Sequence, residues 1–220
     1  VGSEMCIRDS LDIGGGSIQI SLFDKDTLVS TQNLRLGVLR LQELLNHLNA
    51  GSTQMERLVD ELATAQLDDY KKLYLKDREI KNIIIVDDYL SPWAVRKAHE
   101  RGEVNAVVDR KAFSQLMEAL RTKGTTELAK RMDIAEEKVP LVYISAILTR
   151  RIAELMGAEL VWAPGVTLCD GIAYEYAEQN KMFRGEHDFA EDIIACALNI
   201  SKRYNLSLIH ISEPTRLQLI

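Results

Sequence analysis

The stretch Leu11-Asp12-Ile13-Gly14-Gly15-Gly16-Ser17-Ile18-Gln19-Ile20-Ser21-Leu22-Phe23 decides how this chain is read. Leu11 to Ile13 ends a strand. Ser17 to Phe23 alternates strictly, with Ile18, Ile20 and Leu22 on one face and Ser17, Gln19 and Ser21 on the other, the pattern of a half-buried strand. Three consecutive glycines lie between the two segments. They let backbone N–H groups converge without Cβ obstruction into a concavity suited to a phosphate oxygen, and Ser17 adds a hydroxyl donor. Asp12, at the strand end before the loop, is placed where a carboxylate holds Mg²⁺ directly or through water beside that phosphate. The alternative is a glycine-rich hairpin turn capped by Asp12, since short glycine motifs recur by chance.

Working outward, Asp24-Lys25-Asp26 reads as a turn and Thr27 to Asn33 as an antiparallel return strand. Leu41, Leu44, Leu45 and Leu48 follow helical spacing up to Gly51. Ser52 to Lys76 is polar and helix-prone, and is expected as surface helix. Ile83 to Val86 reads as a strand buried on both faces, with Pro92 opening the next helix. Helices are predicted around Phe113 to Leu120 and Leu141 to Leu155, the latter closed by Gly157. Leu160 to Trp162 is a strand, Ala163-Pro164-Gly165 a turn, and Cys169 onward a helix to about Gln179. Lys181 to Asp188 reads as a linker, followed by a helix with Phe189, Ile193, Cys196 and Ile200 on one face. Strands alternating with helices predict an α/β fold with a mixed sheet and flanking helices.

Composition narrows the function. Of 220 residues, 46% are hydrophobic and 27% charged, as in ordinary soluble domains. With 33 acidic against 27 basic residues and a net charge of -6, duplex nucleic acid and an anionic membrane are poor main partners. Three cysteines without a CxxC pair point to a reducing compartment, and to neither a disulfide framework nor a zinc site. No run approaches the roughly 18 apolar residues of a membrane span, and the expected location is the cytoplasm. Val1 to Ser10 (VGSEMCIRDS) and Leu206 to Ile220 (LSLIHISEPTRLQLI) share no periodicity with their neighbours and resemble translated sequencing-adapter DNA. Residues 1–10 and 206–220 are therefore expected to be non-native flanks of a chain truncated on both sides.

Asp12 to Ser17 resembles the phosphate loops of the actin, sugar kinase and acetate kinase superfamily. Taken in order with Leu36-Gly37-Val38-Leu39-Arg40-Leu41 and Gly165-Val166-Thr167-Leu168-Cys169-Asp170-Gly171, it resembles the exopolyphosphatase / guanosine pentaphosphate phosphohydrolase (Ppx/GppA) family over most of residues 11–205. The resemblance implies an actin-like ATPase (ribonuclease H-like) domain over 11–180, the second of two. It implies a linker and the first helix of an all-helical domain over 181–205. It also implies Mg²⁺-dependent hydrolysis of the terminal phosphate of inorganic polyphosphate or guanosine pentaphosphate. In that scheme Asp12 positions the metal, and Gly14, Gly15, Gly16 and Ser17 hold phosphate. Arg40, Gly165 and Gly171 lie close to the phosphate, and Gln19 orients water. The family's other phosphate loop and its glutamate base belong to the first domain, so this chain alone is expected to be inactive; a homodimer is a partner expectation for the full-length protein.

The chain departs from the family pattern in three places. Gln19 stands where the family carries a glutamate, and an amide cannot accept a proton. Cys169-Asp170-Gly171 replaces Arg-Glu-Gly, which removes a fork-shaped phosphate donor. Asp87-Asp88 replaces a glycine-rich turn and is expected as a solvated strand end. Arg35 is expected at the surface, His47 and His99 lack companions for a metal, and His187-Asp188 sits in the linker. Two other classes stay open: a polyphosphate or alarmone sensor that binds without turnover, and a sugar or acetate kinase-like phosphotransferase.

Overall fold

The chain is described here by a computed structural model covering residues 8–24, 27–48, 51–75, 80–183 and 189–204. Most of both expected flanks, the tip of the first turn, and His187 with Asp188 lie outside these residues. The opening hairpin forms as its alternation predicts. Strand β1 (Arg8–Ile13) pairs antiparallel with β2 (Ile18–Asp24), which pairs antiparallel with β3 (Thr27–Leu34). Strand β4 (Asn82–Asp87) lies parallel to β1, and β6 (Leu160–Trp162) parallel to β4. A short strand absent from the sequence reading, β5 (Val107–Asp109), closes the far edge antiparallel to β6. The result is a six-stranded mixed sheet of order β3-β2-β1-β4-β6-β5. This is the expected α/β class, with helices on the faces of the sheet. Arg8 to Ser10, at the end of the first expected flank, pair with Asn82 to Ile84.

One sheet face is apolar and fully buried, with Leu11, Ile13, Ile18, Ile20, Leu22, Ile83 and Ile85 at no more than 2% exposure. Helices α1 (Val38–His47), α2 (Ser52–Tyr70) and α6 (Val139–Met156) pack together in the layer over it. Helix α2 was expected at the surface. Instead Val59, Ala63, Leu67 and Tyr70 face inward against α6, because the buried stripe uses one alanine and one tyrosine that an aliphatic count passes over. Helix α4 (Arg110–Thr122) and α5 (Thr125–Met132) extend this layer. On the opposite face α3 (Ser91–Glu100) covers only the β4, β5 and β6 side, opened by Pro92 as predicted. Strand β4 is accordingly buried fully on one face, with Ile84 and Val86 only half-buried on the other.

Helix α7 (Leu168–Gln179) buries no side chain among the described residues, and Leu168, Ile172 and Tyr176 are exposed. Helix α8 (Phe189–Arg203) lies against β3, where the Leu28 N–H donates to Asp192 Oδ1 at 2.9 Å and Cys196 Sγ reaches the Leu28 carbonyl at 3.5 Å. The outward peptide of an edge strand is thereby covered. Ile193 and Ile200, read from the sequence as lying on one face of this helix, are exposed.

An ion cluster locks the helical layer. Glu56 on α2 accepts from Arg121 Nε and Nη2 of α4 at 2.8 and 2.6 Å. It also accepts from Arg150 Nη1 and Tyr143 Oη of α6 at 2.6 and 3.1 Å. Arg150 Nη2 also donates to Asp60 Oδ2 at 2.8 Å. The Arg121 bonds, with Arg150 and Tyr143, hold the Glu56 carboxyl down to about 2, against the opposing effect of burial. An unfolded chain takes up this proton first, so stability is complete above the usual glutamate range and is lost as pH falls from about 4.5 to about 2. We expect Glu56→Gln to cost on the order of 2 kcal/mol at pH 7, allowing for solvent screening of Arg121, and to flatten the stability profile below pH 4.5. Urea unfolding between pH 2.5 and 7 measures both effects.

Candidate phosphate site

The glycine loop is shaped by what lies behind it. Gly14 N–H donates to the Ser17 carbonyl at 3.0 Å and closes the turn. The carbonyls of Gly14 and Gly15 accept from the first amides of α1: Val38 N to Gly14 at 3.0 Å, and Leu39 N and Arg40 N to Gly15 at 3.0 and 3.1 Å. Arg40 Nε then takes the Gly16 carbonyl at 3.1 Å. These bonds use up donors that a helix N-terminus otherwise leaves free. They also fix the direction of the next three amides. In a trans peptide the N–H points opposite to the C=O, and no peptide here is cis, so with the carbonyls of 14, 15 and 16 turned toward α1 the N–H groups of Gly15, Gly16 and Ser17 point away from it. No partner within the described residues takes them. Three consecutive amides turned to the same side are an arrangement suited to an anion.

The glycine requirement falls in an unexpected place. No glycine of the loop has a positive φ, and a Cβ on Gly16 would meet nothing within 4 Å. The close approach is at Gly37, where a Cβ would stand 2.1 Å from Gly16 C, 2.2 Å from Gly15 O and 2.3 Å from Ser17 N. Leu36-Gly37 therefore belongs to the loop's construction: the backbone at residue 37 presses directly on peptides 15 to 17.

Beside the loop, strand register sets Asp12 opposite Gln19 and Gln19 opposite Asn33, all on the polar sheet face that α3 leaves open. Asp12 is also the partner of Val86 in β4, which brings the Asp87-Asp88 turn alongside it. Partial burial, then the charges of Asp88 and Asp87, push the Asp12 carboxyl above the usual aspartate range. The carboxylates of Asp12 and Asp88 have no hydrogen-bond partner among the described residues. This excess of negative charge suits a dication next to Asp12. No set of three His, Cys, Asp or Glu converges among the described residues, so such an ion would complete its shell with water and substrate oxygens, as Mg²⁺ commonly does.

Asp87 corrects an expectation. Rather than a solvated strand end, it is 8% exposed and lies on the core face, accepting from Leu90 N at 2.8 Å, Ser91 N at 2.6 Å and Ser145 Oγ at 2.7 Å. It caps α3. Asp88 is exposed, as expected. Gly165 has φ +71° and packs so closely on α3 that a Cβ would lie 2.6 Å from Val95 Cγ2. Gly171 sits in the first turn of α7 with open space around it, and its amide donates to the Thr167 carbonyl at 3.2 Å. Asp170 forms a capping box with Thr167, its Oδ2 accepting from Thr167 N and Oγ1 at 2.7 Å each. The structure thus gathers Asp12, Gly14 to Ser17, Gln19 and Arg40 at one sheet end. Gly165 lies across the Asp87-Asp88 turn, and Gly171 is engaged within its own helix.

No protein-family model matches the sequence, and no curated protein is significantly similar to it. Solved structures are. The Aquifex aeolicus member of the Ppx/GppA family superposes with a TM-score of 0.64 at 11% identity, over 80% of this chain and 57% of that one. An exopolyphosphatase from Cytophaga hutchinsonii gives 0.57 at 16% identity, over 73% and 55%. The type II variant of the Aquifex aeolicus Ppx/GppA phosphatase gives 0.58 at 12%, over 71% and 52%. The chain spans about half the length of these structures.

We expect Gly37→Ala to destabilise the protein by about 3 kcal/mol, because its Cβ meets backbone and no flexible side chain. Gly16→Ala, with no neighbour to displace, should stay within about 1 kcal/mol; chemical denaturation of the pair checks the contrast. In its six-stranded α/β architecture this chain has the actin-like fold of the Ppx/GppA phosphatase structures, the family that its three sequence motifs resemble.

Proposed function

We propose that this chain is the phosphate-gripping domain of a Ppx/GppA-type phosphatase, which removes a terminal phosphate from a polyphosphorylated substrate, inorganic polyphosphate or guanosine pentaphosphate, with the help of Mg²⁺. The observation that carries this reading is the row of outward amides at Gly15, Gly16 and Ser17 next to an unpaired Asp12 carboxylate. A terminal phosphoryl group seated there has its equatorial oxygens on fixed dipoles, which need not reorganise as charge shifts during transfer. The Ser17 hydroxyl adds a donor, and the Arg40 guanidinium, anchored through Nε, keeps its outer N–H groups for phosphate or solvent. Mg²⁺, when bound, would neutralise charge on the phosphoryl oxygens. Asp12 would hold that ion at the loop's edge, and Gln19, directly across the strand pair, would orient water through its amide.

One residue favours a second reading. Gln19 cannot accept the proton that an attacking water must lose, so a protein relying on this strand for its base would bind and turn over slowly, as a sensor does. Phosphate release from long-chain polyphosphate by the full-length protein separates the two: turnover supports the hydrolase, and binding without release supports the sensor.

The grip itself is tested on this chain by calorimetry with inorganic tripolyphosphate. Binding should require Mg²⁺, and Asp12→Asn should weaken it at least tenfold while leaving the thermal midpoint nearly unchanged. Equal affinity with and without Mg²⁺ would overturn the assignment of Asp12.

A further inference from the structure

Toward the sheet edge formed by β6 and β5, away from the phosphate loop, lies a cavity of about 470 Å³. It opens where α4 and the end of α6 cross that edge. The volume falls in the range of small-molecule sites, roughly 300 to 1,000 Å³. Its floor is apolar, built from Val108 and Val161 on the strands and from Phe113 and Met117 on α4.

The charged groups around it differ in what they already hold. Arg121 and Arg150 are engaged with Glu56 and Asp60. Asp109 Oδ1 accepts from Ala112 N at 2.7 Å and caps α4. Glu154 turns to its own helix, 3.8 Å from Arg150 Nε and 3.6 Å from Arg151 Nη1. Two groups remain. Arg110 and Glu159 both line the cavity, both are exposed, and neither side chain has an ion pair or hydrogen bond among the described residues.

Strand register makes these two a pair. Asp109 stands opposite Leu160 in the antiparallel β5–β6 ladder, and one further step along each segment brings Arg110 opposite Glu159. Opposite charges at facing positions ordinarily close on each other. Here they stay apart at the rim of an apolar cavity. A lone anion would be attracted by Arg110 and repelled by Glu159, Glu154 and Asp109, and a lone cation would meet the reverse at Arg110. A hydrocarbon would leave both rim charges unused. One small ligand uses all three features: a zwitterion with an apolar substituent, whose carboxylate suits the guanidinium fork and whose ammonium donates to a carboxylate.

We propose that this cavity binds a free apolar α-amino acid. Arg110 takes its carboxylate, Glu159 takes its ammonium, and its side chain lies over Val108, Phe113 and Val161. The site is separate from the phosphate loop and stands whether or not the loop grips phosphate.

Calorimetry and amide-resolved NMR of this chain with L-leucine test the proposal. At millimolar concentration L-leucine should move the amide resonances of Val108, Phe113 and Val161. N-acetyl-L-leucine, which lacks the ammonium, and L-leucinamide, which lacks the carboxylate, should each bind at least tenfold more weakly. Glycine, with nothing to lay on the floor, should bind more weakly still than L-leucine. Arg110→Gln and Glu159→Gln should each weaken L-leucine at least tenfold and keep the thermal midpoint of the unmodified chain, because both side chains are exposed and unpaired among the described residues. Resonances that stay in place with L-leucine overturn the proposal, as does binding of the acetylated or amidated form as tight as that of L-leucine.

Discussion

The contact on which this structure turns is the seating of the Gly15 to Ser17 backbone on Gly37 at the head of α1. Two backbones approach closer there than any side chain permits, and the helix amides reach the loop carbonyls. The consequence passes along the peptide planes. Carbonyls held on one side force the next N–H groups to the other, so α1 determines the direction of donors that point away from it. The same device explains why the loop needs no special φ values. Its glycines permit closeness, not a left-handed turn.

The sheet supplies the second constraint. An antiparallel pair places Asp12 opposite Gln19, and a parallel neighbour brings the Asp87-Asp88 turn to the same end. Charge then accumulates at one point and adds to partial burial, the larger effect, in pushing the Asp12 carboxyl upward. Asp87 escapes by turning into the core, where three donors satisfy it, and in doing so occupies the N-terminus of α3. One carboxylate thereby closes an anion site while its exposed neighbour, Asp88, adds negative charge beside Asp12.

Much of this was legible in the sequence because it is local. The strict alternation from Ser17 to Phe23 fixes which residues of β2 face the core, and the three glycines with Asp12 mark the loop. Pro92 and Gly157 mark a helix start and a helix end, both where the structure has them. Less legible were features that depend on partners far along the chain. The burial of α2 depends on α6, its inward stripe mixing Ala63 and Tyr70 with Val59 and Leu67. Asp87 looks solvated until Ser145, fifty-eight residues later, is placed against it. Strand β5 has three residues and no periodicity to detect. At the site, Asp12, the loop and Gln19 were readable, whereas Gly37 as the steric anchor required coordinates.

The proposed function stands on Gly15, Gly16 and Ser17 presenting their amides to a phosphate. The most direct test is an amide-resolved NMR titration of the chain with tripolyphosphate and Mg²⁺. These three resonances should move first and furthest, with Gly14, whose N–H is already bonded to Ser17, moving less. Shifts that leave the three amides in place and gather elsewhere on the surface would contradict it.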